Sequence, residues 1–216
     1  MFTVEAVTNS KNDRVYAHSS RDLSVNVRSH LRRQKPASVM VWAAVASDGT
    51  KSPLIVIDEG VKVNSQVYLN MLQEKVFPWL TESFGTNFIF TQDGAPAQTA
   101  NVTQKWCNDH FQGFWDKTMW PPSSPDINPM DFAIWSILES EVSTRSYPNL
   151  DSLKAAIRSA WAKLDEEVVR HSCASVKTLV EKMIKAKGGH FEISYVNLIL
   201  NILLNDSEKA FSYLSF

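Results

Sequence analysis

Two aspartates stand where side-chain chemistry tends to concentrate. Asp93 follows the apolar run Phe88-Ile89-Phe90 and precedes Gly94-Ala95-Pro96, so it closes a buried strand at a strand-to-helix turn. Asp131 follows Asn128 and Pro129, a cap and a first-position proline, and therefore lies in the first turn of a helix. In an α/β sheet such strand ends and helix starts gather at one edge. Carboxylates brought together there supply the hard oxygen ligands that Mg2+ prefers, and paired divalent cations stabilise both the entering and leaving oxygens of a phosphodiester under attack. Each aspartate has an ordinary structural use as well. The helix dipole favours a carboxylate in the first turn, and an aspartate after a strand commonly makes a turn. Local preference leaves both uses open, while Asp126, Asp48 and Asp58 read as turn residues.

The elements that would position this pair follow from periodicity. Phe2 to Val7 and Arg14 to Ala17 are β-prone on either side of a polar turn and read as a hairpin. Val39 to Ala46 is a continuous apolar strand, Ser47-Asp48-Gly49-Thr50 a turn, and Leu54 to Ile57 its partner. Asn64 caps a helix whose Tyr68, Leu69, Leu72, Val76 and Leu80 form one buried face. After Asp93 a helical segment runs to about His110, followed by an aromatic strand around Phe114-Trp115. Two further helices pass through Leu153, Ile157, Trp161 and Leu164, and through Val176, Leu179, Val180, Met183 and Ile184. Strands first and helices later, with helices also between strands, predict an α/β sandwich on a mixed sheet.

Bulk properties narrow the classes. A chain of 216 residues, 44% of them hydrophobic, buries a core of ordinary size. A net charge of -1 gives no global attraction for nucleic acid, so such contact needs a local patch. The one cluster is Arg28, Arg32, Arg33 and Lys35, which suits phosphates or is simply a solvated loop. Cys107 and Cys173 lack the spacing of a disulfide framework or a zinc site and suit a reducing compartment. His110, His171 and His190 show no metal spacing either, and Trp42, Trp79, Trp106, Trp135 and Trp161 sit at apolar positions expected in the core. The longest strongly apolar stretch, Val196 to Leu204, is too short to span a bilayer, so no membrane partner is expected.

Two long motifs raise the odds for the aspartates. Thr91 to Ala100, reading TQDGAPAQTA, resembles the second-aspartate block of mariner-type (Tc/mariner superfamily) DNA transposases. Trp120 to Phe132, reading WPPSSPDINPMDF, resembles their third-carboxylate block, with 37 residues between the two aspartates. Similarity extends from Phe2 to about Phe191 and includes Val39 to Trp42.

The resemblance implies an RNase H-like fold, α/β with a mixed sheet flanked by helices. It implies metal-dependent DNA cleavage and strand transfer in the nucleus, with Mg2+ or Mn2+ as cofactor and double-stranded DNA, both transposon ends and target, as partner. A homodimer stays open. Asp93 and Asp131 match two of the three carboxylates. The first belongs to an Asp-Glu-Lys type motif immediately before the Phe-Thr-Val strand, and this sequence starts at Met1, past that position. Glu5 is a poor substitute by alternation and distance. The expectation is thus an N-terminally truncated catalytic domain over residues 1–190, with an atypical tail over 191–216 and little or no activity alone. A domesticated binding module is the alternative. Gln98 stands where relatives often have His, which removes any proton handling there.

Overall fold

The computed structural model describes residues 1–5, 37–119, 124–185 and 210–215. Strand β1 (Phe2–Thr3) is short; the expected hairpin and the cluster Arg28, Arg32, Arg33 and Lys35 lie outside the described residues. Strand β2 (Ser38–Ala46) pairs antiparallel with β3 (Ile55–Ile57), Trp42 opposite Ile55. The ladder then slips by one residue, because Val45 bridges Lys51. Ser52 fixes this bulge: its Oγ accepts from Ala44 N at 2.8 Å, and its carbonyl accepts from Trp161 Nε1 at 2.9 Å.

The apolar run of β2 is continuous because both faces are buried. Val39, Val41, Ala43 and Val45 face one helical layer, packed with Met130, Ile134, Leu138, Leu153, Ile157 and Val169. Trp42 and Ala44 face the other, with Tyr68, Leu72, Val76, Leu80, Phe90 and Cys107. That second layer starts with α1 (Ser65–Met71), where Asn64 Oδ1 accepts from Val67 N at 2.9 Å as the cap pattern predicts. It continues through a π-helical stretch, Leu72–Val76, into α2 (Phe77–Phe84). Strand β4 (Phe88–Phe90) follows, then α3 (Pro96–Thr99) and α4 (Asn101–His110), separated at Ala100, whose ψ of 137° is extended.

The aromatic strand expected at Phe114-Trp115 is instead a single parallel bridge between Phe114 and Phe90. Gly113 brings it there: a Cβ at this position would lie 2.6 Å from the Phe88 carbonyl oxygen. The first layer comprises a π-helical stretch Met130–Ile134, α5 (Trp135–Val142), α6 (Leu150–Lys163) and α7 (Glu166–Lys185). Helix α7 starts ten residues before its apolar pattern is recognisable, since its first buried positions include Ser172, Cys173 and Ser175. Lys51 holds the end of α6, its Nζ donating to the Trp161 and Leu164 carbonyls.

Strand β5 (Ala210–Ser215), from the segment read as a tail, lies inside the sheet. It is antiparallel to β2, with Ala43 opposite Ser215, and parallel to β4, with Phe90 opposite Ser212. Backbone N–H and C=O groups of successive residues point to opposite sides of a strand. Ala44 bonds Ser52 on the β3 side, whereas Ala37, an odd number of residues away, accepts from Val4 N at 3.0 Å. β1 and β5 therefore share the other side of β2, one opposite Ser38–Val39 and one opposite Ala43–Ala46. Two segments from distant parts of the sequence follow one another along a single strand position.

Candidate metal centre

Asp93 sits just past β4 on a turn that needs left-handed backbone at Gly94, φ +86°. The half-buried carboxylate accepts from Ala95 N at 3.1 Å. The turn is also held from behind by Gln98, fully buried, whose Oε1 accepts from Gly94 N at 3.0 Å and Ala95 N at 3.2 Å. The departure from His at this position thus has a structural role that its lost proton chemistry did not suggest.

Behind Gln98 runs a buried amide network. Gln104 Nε2 donates to the Gln98 carbonyl at 2.9 Å and to Gln92 Oε1 at 3.1 Å, and Gln104 Oε1 accepts from Lys117 N at 2.9 Å. Gln92 Nε2 in turn donates to the Tyr68 hydroxyl at 2.8 Å. Burial above all, then the neighbouring Cys107 and, more weakly, Asp93, push the Tyr68 hydroxyl well above its usual range, against the Gln92 hydrogen bond. Tyr68 therefore stays neutral beside the aspartate. Sequence reading missed this network. Its signal was Gln104 on the same inward helical face as Thr103 and Cys107.

Asp131 is positioned differently. It lies in the π-helical stretch Met130–Ile134, a rare geometry often found at functional sites. Asn128, buried, does the capping: its Oδ1 accepts from Met130 N at 3.2 Å and its carbonyl from Asp131 N at 2.9 Å. The same side chain donates from Nδ2 to Asp131 Oδ2 at 2.8 Å. Met130 and Ile134, both fully buried, anchor the stretch in the core. Asp126 lies in the single 3-10 turn Pro125–Ile127 and is exposed, as expected of a loop residue; Trp120 to Ser123 of the same motif lie outside the described residues.

The two aspartates belong to elements that flank one strand. β4 pairs with β5 on one side, and the Met130–Ile134 stretch packs against β5. Among the described residues no group of three His, Cys, Asp or Glu is placed to hold a metal ion. Glu5 lies beyond the end of β1 and is not one. Among the described residues Asp93 and Asp131 are therefore not joined by a third carboxylate, and these residues do not complete a metal site of the kind the resemblance implies.

A mixed sheet between two helical layers, with these strand ends and helix starts at its edge, is an RNase H-like α/β fold, and solved structures match it. The crystal structure of the catalytic domain of Mos1 mariner transposase has a TM-score of 0.63 at 19% identity over 71% of this chain and 76% of that one. The Mos1 transposase paired-end complex with left transposon end reaches 0.72 at 16% identity, covering 89% of this chain and 54% of that one. No protein-family profile matches. The homologues are Tc1/mariner transposases. The Tc1 transposase of Caenorhabditis elegans is 28% identical over 151 residues, 70% of this chain and 53% of the relative. The Tc3 transposase of the same organism is 29% identical over 153 residues, 70% of this chain and 44% of the relative. The chain spans about half the length of the curated relatives it matches. No helix among the described residues is long and apolar enough to cross a membrane.

Proposed function

We propose that this chain is a transposase-derived domain whose lineage cut DNA at element ends and joined it to a target. In this reading Asp93 and Asp131 hold Mg2+ or Mn2+, whose chemistry is to stabilise charge on the oxygens of a phosphodiester. The carrying observation is their placement just past β4 and on the Met130–Ile134 stretch, the two elements that lie against β5. Relatives support the metal and the DNA: Mos1 catalytic-domain structures were solved with Mn and with Mg, and other Mos1 structures are paired-end and strand-transfer complexes. Among the described residues two carboxylates rather than three stand there, so in this reading the chain binds the cation weakly and by itself cleaves little or no DNA. Its partner is double-stranded DNA and its place of action the nucleus.

The test is cleavage of duplex DNA carrying transposon ends, with Mg2+ or Mn2+, by the 216-residue chain and by a chain extended upstream with an Asp-Glu-Lys segment. The extended chain cleaves, the short one does not, and Asp93→Asn abolishes the activity. Strong Asp93-dependent cleavage by the short chain, or none by either, overturns the reading.

A further inference from the structure

A cavity of about 400 Å3 opens along the outer edge of β3, on the side of β2 opposite β5. Its floor is Trp42 and Ile55, and its walls come from both helical layers: Lys75 and Trp79 from one, Arg158 of α6 from the other. The volume lies in the range of small-ligand pockets, which combine apolar walls with a few placed polar groups.

Lys154 pairs with Asp151, Lys163 with Glu141, and Arg170 with Glu166 and Glu167, whereas Lys75, like Lys62, Lys105 and Lys177, carries no such pair among the described residues; what sets Lys75 apart is its place beside Arg158 at the mouth of the cavity. Lys75 and Arg158 are both exposed, and among the described residues neither has a carboxylate partner. Arg158 is the one described arginine without a side-chain partner, since Arg145 contacts Tyr147. Unpaired cations of separate elements at one opening suit an anion, and an arginine fork suits phosphate.

Trp79 adds the second half of the recognition. Sequence reading assigned it to the core, yet it is only partly buried and lines the cavity, its ring held edge-on to Phe84 at 5.9 Å and 87°. An indole beside two cations is the combination that binds single strands, stacking the base and neutralising the phosphate. A base still paired in a duplex cannot enter such a pocket.

We infer that this cavity takes one unpaired nucleotide, its base against Trp79 and its phosphate between Lys75 and Arg158. The inference rests on these side chains and not on Asp93 or Asp131, so it stands or falls separately from the proposed cleavage chemistry.

The experiment is fluorescence anisotropy of a labelled oligothymidylate with the full chain at low salt, alongside an acidic oligopeptide of similar charge. Trp79→Leu is expected to weaken oligonucleotide binding roughly tenfold, and the Lys75→Ala, Arg158→Ala pair by a similar factor with a shallower salt dependence. Trp79→Phe retains most of the affinity. Unaltered oligonucleotide binding by the folded Lys75, Arg158 double variant overturns the assignment. So does loss of peptide binding alone in that variant, which would make the cleft a peptide groove along β3.

Discussion

Asp93 and Asp131 are held in opposite ways. The turn bearing Asp93 is braced by Gln98 and, through it, by Gln104, Gln92 and Tyr68, residues drawn from three helices and the loop that follows β4. Asp131 is set by Asn128, three residues away, and by the burial of Met130 and Ile134. One carboxylate depends on a whole layer, the other on a local cap. β5 joins them, because it pairs with β4 and carries the Met130–Ile134 stretch against it. The geometry of the pair is thus a tertiary property, even though each aspartate announces itself locally.

Removing residues 210–216 tests that joint and carries the largest expected effect. It takes away the backbone pairing of β5 with both β2 and β4, a loss comparable to the ~5–15 kcal/mol that stabilises a typical domain. A cooperative thermal transition should disappear, and a synthetic peptide of residues 207–216 should restore part of it. An unchanged melt would show that β5 does not hold the two regions together.

Gln104→Leu attacks only the Asp93 side. It leaves the Gln98 carbonyl, Gln92 Oε1 and Lys117 N without their partner, for a cost of about 3 kcal/mol in urea unfolding. Asn128→Ala attacks only the Asp131 side and should cost about 1 kcal/mol, the value of a lost cap. Similar costs for the two would erase the contrast.

Alkaline pH probes both layers at once, since each buries one thiol, Cys107 in the layer of Tyr68 and Cys173 in the layer of Met130. Burial pushes the Cys107 thiol from 9.0 up to about 12, and Cys173 higher still. The unfolded chain then releases protons above pH 9 that the folded chain keeps, so stability is full below pH 9 and falls as pH rises towards 12. From pH 7 to 10 the Cys107 share is about 1 kcal/mol. Cys107→Ala should flatten that part of the profile, and an identical pH profile in wild type and variant would contradict the burial.

Much of the fold was legible in sequence because it rests on short-range patterns. Asn64, Asn128 and the apolar positions of β2, α1 and α6 announced caps and buried faces that the structure contains. Other parts were not. β5 is invisible locally, because its place depends on pairing with strands well over a hundred residues away. The Phe114 segment looked like a strand by composition but makes one bridge, and after Val169 the inward face of α7 carries Ser172, Cys173 and Ser175, which blurs the apolar period. At the site both aspartates were read from motif and position. Gln98 was read as a missing His, because proton chemistry is visible in a residue's type while its hydrogen-bond partners are not.

The central claim is that Asp93 and Asp131 form one incomplete cation site. Mn2+ titration followed by water-proton relaxation measures it directly, on the chain and on Asp93→Asn, Asp131→Asn and the double variant. Weak binding that either single substitution abolishes, with no further loss in the double variant, is the predicted result. Binding that survives both substitutions, or that falls by independent increments, would contradict a shared site.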